Sequence, residues 1–218
     1  MKKSVLIVFD IDGTLSDSVE GHQASFREAL KDIGVAVINA EFKSFKHHTD
    51  SYIAKEIFEQ SQVQAFSEDK VKAFESSLST KVKALKFEEI NGAKALIDQL
   101  RVEPVYAFCF STGSLRRAAE HKLKSIGIDF EDWQLVASDE LYEREQIVNR
   151  AINNSIRHYG VDGFERIISL GDGLWDLLTA KNLDVEFIGI GEENKEVLFA
   201  HGAKIVLRDL SSLELDFT

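Results

Sequence analysis

The chain has 218 residues, 44% hydrophobic and 29% charged, with a formal net charge of −11 at pH 7. This is enough apolar side chain to bury a core in one large domain, or one domain and a smaller one, and too much for a disordered chain. The acidic balance argues against nonspecific nucleic-acid binding, which draws on a basic surface, and no apolar stretch approaches the length of a membrane span.

The first element is the apolar run Val5-Leu6-Ile7-Val8-Phe9, which follows the basic start Met1-Lys2-Lys3. It is too short for the core of a signal peptide, so a cytoplasmic protein is the expectation. A continuous apolar run reads as a strand buried on both faces of a parallel sheet, and such sheets bind ligands beyond the carboxyl ends of their strands. Asp10-Ile11-Asp12-Gly13-Thr14-Leu15 stands at that end. Asp10 can attack phosphorus there and Asp12 can pass a proton to the leaving group, while Gly13 lets the backbone turn sharply. A plain turn is the competing reading, because Asp and Gly are favoured in turns for backbone reasons.

From Val19 to Leu100 the pattern is helical and free of proline. Phe26, Leu30 and Ile33 share a face, as do Ile53, Ile57 and Phe58, and Val71, Phe74 and Leu78; Val82, Leu85 and Ile90 are less regular. Strand patterns follow at Val105 to Phe110, Gln134 to Ala137, Ile167 to Leu170 and Val185 to Ile190, with a short edge strand at Lys204 to Leu207. Helical stretches separate them at Arg116 to Ile126, Glu145 to His158 and Trp175 to Asn182. Alternating strands and helices predict an α/β fold, a Rossmann-like parallel sheet flanked by helices. The helical block inserted after the acidic motif predicts an all-helical cap over the strand tips, residues 17–89, with the core domain formed by residues 1–16 and 90–218. Helices packed on a sheet face are the alternative. Cys109, the single cysteine, lies in an apolar run and reads as a small core residue.

Two further strand tips carry polar groups. Ser111-Thr112-Gly113-Ser114 offers hydroxyls and backbone amides for phosphoryl oxygens, or a cap for the helix that follows. Gly171-Asp172-Gly173-Leu174-Trp175-Asp176 adds two acids; magnesium prefers oxygen ligands, so one or two of these with Asp10 would suffice, although Asp176 also suits a first helical turn. A cation must offset this charge. Arg144 is the candidate, with a surface ion pair to Glu143 or Glu145 as the bland alternative that spacing leaves open.

These motifs resemble the haloacid dehalogenase superfamily, in particular its phosphoglycolate phosphatase-like members with a helical cap. Asp10-Ile-Asp12-Gly-Thr-Leu matches the first motif, Phe110-Ser-Thr112-Gly the second, and Gly171-Asp172-Gly-Leu-Trp-Asp176 with Thr179-Ala180 the fourth. The resemblance implies a phosphatase acting on a small phosphorylated metabolite through an aspartyl-phosphate. Asp10 would be nucleophile and Asp12 general acid/base, with Thr112 and Gly113 on the phosphoryl group. Magnesium would be held by Asp10, the Asp12 carbonyl and Asp172, supported by Asp176. No lysine stands between Asp139 and Arg166, so Arg144 fits the arginine variant of the third motif. As the acid of the first step, Asp12 is expected to have a raised pKa. A sugar-phosphate mutase or an inactive binding module are the alternatives; dehalogenation fits less well, since attack on carbon needs neither the magnesium cluster nor Asp12. His47 and His48, with Lys46 and Thr49, form a polar cluster in the cap that suits leaving-group contact, against a solvated surface or a helix cap at Thr49-Asp50.

Overall fold

The computed structural model describes residues 3–36, 41–62 and 64–214. Met1 and Lys2, and residues 37–40 and 63 of the segment read as helical, lie outside them. In chain order the elements are β1 (Val5–Phe9), β2 (Ser16–Asp17), α1 (Val19–Asp32), α2 (Asp50–Gln62), α3 (Glu68–Lys83), β3 (Glu88–Glu89), α4 (Ala93–Val102) and β4 (Tyr106–Ser111). They continue with α5 (Arg116–Ser125), β5 (Leu135–Val136), α6 (Arg144–Tyr159), β6 (Arg166–Gly171), α7 (Leu174–Asn182), β7 (Glu186–Ile190), α8 (Lys195–Ala200) and β8 (Val206–Leu207).

Six strands form one parallel sheet in the order β5-β4-β1-β6-β7-β8. β1 is buried on both faces, as its unbroken apolar run requires. Leu6, Val8, Ala107 and Cys109 face Ile147, Val148 and Ala151 of α6, while Ile7, Phe9, Phe108 and Phe110 face Leu96 and Ile97 of α4 and Leu123 of α5. Each leucine, isoleucine, valine and phenylalanine among them contributes roughly 1.5–3 kcal/mol on burial. Cys109 is buried, which pushes its thiol up to about 12, as befits a core residue. The chain's single proline, Pro104, sets the end of α4: Glu103 before it is held extended at φ −75° and ψ 126°.

From β1 the strand order runs outward in both directions, so the crevice at its carboxyl end is the topological switch point of the sheet. The inserted helices stand there. Phe26 and Leu30 of α1, Ile53 and Phe58 of α2, and Phe74 and Leu78 of α3 form a separate apolar cluster, which meets the sheet layer through Leu115 and Ala118 just beyond β4. The irregular stretch Val82-Leu85-Ile90 is where α3 ends and β3 begins. β3 pairs antiparallel with β2, Ser16 opposite Glu89, so the outgoing and returning chain run side by side.

Candidate active site

Three adjacent strand tips bring the acidic motifs together. Asp10 follows β1, and its N–H donates to the Leu170 carbonyl of β6 at 2.9 Å. Thr112 follows β4 and Asp172 follows β6. Gly13 has φ +74°, and a Cβ there would fall 2.4 Å from Asp172 Oδ2, so this turn admits only glycine. Ile11 and Leu15, both fully buried, pin the turn to the core.

Arg144 is buried in the first turn of α6, which puts it in the site and not on the surface beside Glu143 and Glu145. Its Nη2 donates to Asp10 Oδ1 at 3.0 Å and to Asp176 Oδ1. Asp176 Oδ2 meanwhile accepts from the Gly173 N–H at 3.1 Å, so this residue caps α7 and holds the arginine together. Burial lowers the basicity of Arg144, but the charges of Asp176 and Asp10 outweigh it and keep the guanidinium charged.

Asp10, Asp172 and Asp176 each offer a carboxylate oxygen, all within 4.8 Å of one another. Burial, reinforced by Asp176 and Asp12 and opposed by Arg144, pushes Asp10 up to about 8. Burial and the same carboxylates raise Asp172 well above its ordinary value. One guanidinium does not neutralise this cluster. Clustered hard oxygen donors with excess negative charge fit a divalent cation, so the group could bind a metal.

A stability test follows from these shifts. With Asp10 and Asp172 raised, the metal-free folded state binds more protons than the unfolded chain between about pH 4 and pH 8. Its stability therefore falls as pH rises through that window. A divalent cation binds the deprotonated carboxylates, so its addition should raise the melting temperature more at pH 8 than at pH 6. Equal rises at the two pH values, read by thermal unfolding with and without chelator, would contradict the shared charge of this cluster.

Asp12 faces the other way, into a network the sequence reading did not anticipate. Lys122 of α5 is fully buried, and its Nζ lies 2.6 Å from Asp12 Oδ1 and 2.8 Å from Oδ2. It also donates to Ser114 Oγ at 2.8 Å and to His22 Nδ1 at 3.0 Å. Ser18 and Ser114 hydroxyls donate to Asp12 at 2.6 and 2.8 Å. An ammonium has only donors, so His22 Nδ1 accepts and Nε2–H donates to Asp50 Oδ1 at 2.9 Å. Burial alone would raise the Asp12 pKa; the Lys122 charge and the hydrogen bonds outweigh it and hold the carboxyl well below the usual range. The expectation of a raised pKa is thus overturned, because it overlooked a buried lysine. The carboxylate being so occupied, only the carbonyl of Asp12 is left for a metal in the manner the resemblance implies.

Lys122 had a legible signal. It shares the buried stripe of α5 with Ala118, Ala119 and Leu123, whereas Arg117 and Lys124 are exposed. His22 likewise lies four residues before Phe26 on the buried face of α1.

The inserted segment closes over this edge. The Asp50 N–H donates to the Gly113 carbonyl at 2.7 Å, and Asp50 Oδ2 accepts from the Leu115 N–H at 2.8 Å. Thr49 Oγ1 donates to the Tyr142 carbonyl at 2.9 Å. Thr49 and Asp50 therefore bridge to the sheet layer, where the sequence suggested a local helix cap. A Cβ on Gly113 would lie 2.3 Å from the His48 carbonyl and 2.9 Å from Arg144 Nη1, so glycine makes room for both. Thr112 Oγ1 accepts from the Ser114 N–H at 3.0 Å, tightening the same turn.

A cavity of about 500 Å³ lies between the two layers, with Asp10, Asp12, Thr112, Gly113, Arg144 and Asp172 at its floor. The two histidines part company. His48 lines the cavity and stacks on Trp175 with ring centroids 4.5 Å apart, whereas His47 turns away to Tyr52 and lies 3.9 Å from Glu143.

Comparison with solved structures finds the same fold at low identity. A hydrolase from Pseudomonas syringae is 21% identical with a TM-score of 0.73, over 95% of this chain and 94% of that one. A CbbY mutant from Rhodobacter sphaeroides, in complex with xylulose-(1,5)bisphosphate, is 19% identical with a TM-score of 0.70, over 95% of each chain. A predicted phosphoglycolate phosphatase from Haemophilus somnus is 18% identical with a TM-score of 0.64, over 94% of each chain. Comparison with curated proteins gives no match. The family model for haloacid dehalogenase-like hydrolases matches residues 7–190, from β1 to the end of β7. With all three strand tips inside that span, the chain is an enzyme that belongs to the haloacid dehalogenase-like hydrolase family.

Proposed function

We propose that the enzyme hydrolyses small phosphomonoesters in two steps through a phosphorylated Asp10, with residues 17–89 as a cap over a core of residues 1–16 and 90–218. The observation that carries this reading is the division of labour between the two aspartates. Asp10 is oriented by Arg144 beside an acidic cluster, while Asp12, two residues on, is tied to a proton-rich network. An attacking carboxylate and a proton carrier are the two parts this hydrolysis needs.

In the first step an Asp10 oxygen bonds to phosphorus, the bond to the ester oxygen breaks, and Asp12 passes a proton to that oxygen. In the second, Asp12 takes a proton from water as the water oxygen attacks phosphorus; the Asp10–phosphorus bond breaks and inorganic phosphate leaves. Asp12 rests as a carboxylate, ready for the second step, so in the first it must be loaded with a proton before the leaving group departs. The lysine, serines and histidine around it form the hydrogen-bonded path along which that proton is exchanged. Thr112 and the Gly113 turn hold the phosphoryl oxygens, and Arg144, whose Nη1 faces Gly113, offsets their charge. Magnesium, held by Asp10, Asp172 and the Asp12 carbonyl with Asp176 behind them, would supply Lewis-acid neutralisation of the phosphoryl group. No helix among the described residues is long and apolar enough to cross a membrane. We read the substrate as a small phosphorylated metabolite of the cytoplasm, in keeping with an acidic chain whose single cysteine is a buried free thiol.

Phosphate release from p-nitrophenyl phosphate should require magnesium, stop on chelation and return on re-addition. Acid-quenched enzyme should carry phosphate on the peptide containing Asp10. Turnover unaffected by chelator, or an adduct elsewhere, would sink this reading.

A further inference from the structure

Asp50 stands where the inserted segment meets the sheet layer, and both of its carboxylate oxygens are used. Oδ1 accepts from His22 Nε2 at 2.9 Å and Oδ2 from the Leu115 N–H at 2.8 Å, while the Asp50 N–H donates to the Gly113 carbonyl at 2.7 Å. Asp50 is itself buried, as are His22, Ser114 and Lys122. Leu115 immediately precedes α5, and Lys122 lies about two helical turns further on, on the same face. One carboxylate thus holds this helix twice. It grips the start through the backbone of Leu115, and reaches Lys122 through His22, whose Nδ1 lies 3.0 Å from Lys122 Nζ.

The second hold depends on where the imidazole keeps its proton. A neutral imidazole carries it on either nitrogen, and the partner of one nitrogen decides what the other can do. The Lys122 ammonium has three N–H groups and three recipients: Asp12, Ser114 Oγ and His22 Nδ1. A proton on Nδ1 would point at that ammonium and push it away. Asp50 Oδ1 accepts from Nε2–H, which keeps the proton there and leaves Nδ1 open to the lysine. Resting on the phosphatase reading, we infer that Asp50 is a positioning residue for Asp12: by fixing the His22 tautomer it holds the Lys122 ammonium against the carboxylate that exchanges a proton with the leaving group and with water. Docking of the inserted segment alone would need the bonds to Gly113 and Leu115, but not the one to His22.

Asp50→Asn separates the two roles. Asparagine has one carboxamide oxygen for the two N–H groups that Asp50 serves. The Leu115 N–H can only donate, whereas imidazole can shift its proton, so the oxygen stays with Leu115 and the NH2 turns to His22, moving that proton to Nδ1. Nitrogen NMR of the full chain labelled at histidine, with the His22 signals assigned by their loss in His22→Asn, should show the proton on Nε2 in the wild type and on Nδ1 in Asp50→Asn. Turnover should follow. p-Nitrophenolate leaves without a proton and an alkoxide needs one, so kcat/KM should fall by about tenfold or more for glycerol 2-phosphate and severalfold less for p-nitrophenyl phosphate. In His22→Asn a carboxamide oxygen replaces Nδ1 as acceptor and has no proton to shift, so adding Asp50→Asn there should cost much less. A tautomer indifferent to Asp50→Asn, equal losses on the two esters, or a loss of the same size with and without His22 would overturn the inference. So would a wild-type His22 protonated at Nδ1, a result that needs no variant to fold. No turnover of either ester would count against the hydrolytic reading alone, since the tautomer is read without substrate.

Discussion

Asp10→Asn is expected to lower phosphate release by about four orders of magnitude or more, the scale of nucleophile deletions, and at the same time to raise the melting temperature of the metal-free protein at pH 8. The first effect follows from the loss of an attacking carboxylate. The second follows from the electrostatics of the strand tips. Asp10 is buried beside Asp172 and Asp176, and its pKa near 8 records how poorly the site tolerates its charge without a metal. Asparagine keeps an Oδ1 acceptor for Arg144 and removes that charge. For a chain of this size each kcal/mol gained moves the midpoint by about 2–4 °C. Saturating magnesium should reverse the order, because the variant has lost a ligand while the wild type is stabilised by binding. Residual turnover near wild type would remove Asp10 from the nucleophile role. A variant both inactive and less stable without metal would show that the carboxylate cluster is not the burden described above.

The second large effect is expected for Lys122→Met. Methionine matches the unbranched stem of lysine and fits the same buried channel, so packing changes little. What disappears is the ammonium that bridges Asp12, Ser114 and His22. Breaking a buried charge pair by removing one partner costs about 3–5 kcal/mol, because the other charge is left without a counter-ion. The cost depends on pH with a definite sign. Without Lys122, burial raises the Asp12 pKa, so at low pH the carboxyl is neutral and the loss is small, while at pH 7 it is large. Urea unfolding at pH 5 and pH 7 should therefore diverge. Adding Asp12→Asn to Lys122→Met should recover part of the stability at pH 7, and the double-mutant cycle measures the coupling. Independent, additive losses would mean that the lysine supports the helix and not the aspartate.

Most of the sheet was legible because its signals are local. A run such as Val5 to Phe9 has one reading at the period of a strand, and observed β4, β6 and β7 lie within a residue of the runs that announced them. β2 and β3 escaped notice. Two residues each, with Glu88 and Glu89 both exposed, they carry no alternation, and only their pairing makes them strands. The acidic motifs were legible for the same local reason, each following an apolar run. Arg144 was reached by resemblance, since nothing in Glu143-Arg144-Glu145 distinguishes a surface ion pair from a guanidinium that turns inward to Asp10 and Asp176. Lys122 and His22 belong to helices far from the motifs in sequence, and their meeting at Asp12 is a tertiary event. Amphipathic position marks them as buried, but not what they touch.

The pairing of β2 with β3 has a consequence for how such an enzyme can diversify. Ser16 stands opposite Glu89, and the Ile90 N–H donates to the Leu15 carbonyl at 2.8 Å, so the ends of the inserted segment are as close as the two arms of a hairpin. A short turn joining those arms would leave the same ladder in place beneath it. Because the entropy of closing a loop grows only slowly with its length, the segment between the two arms can lengthen or shrink beyond α1 at small cost in closure entropy. The acidic cluster of Asp10, Asp172 and Asp176 comes with the sheet layer, whereas Ser18 and His22 come with the inserted segment, so any exchange of that segment has to keep the residues that hold Asp12 and Lys122.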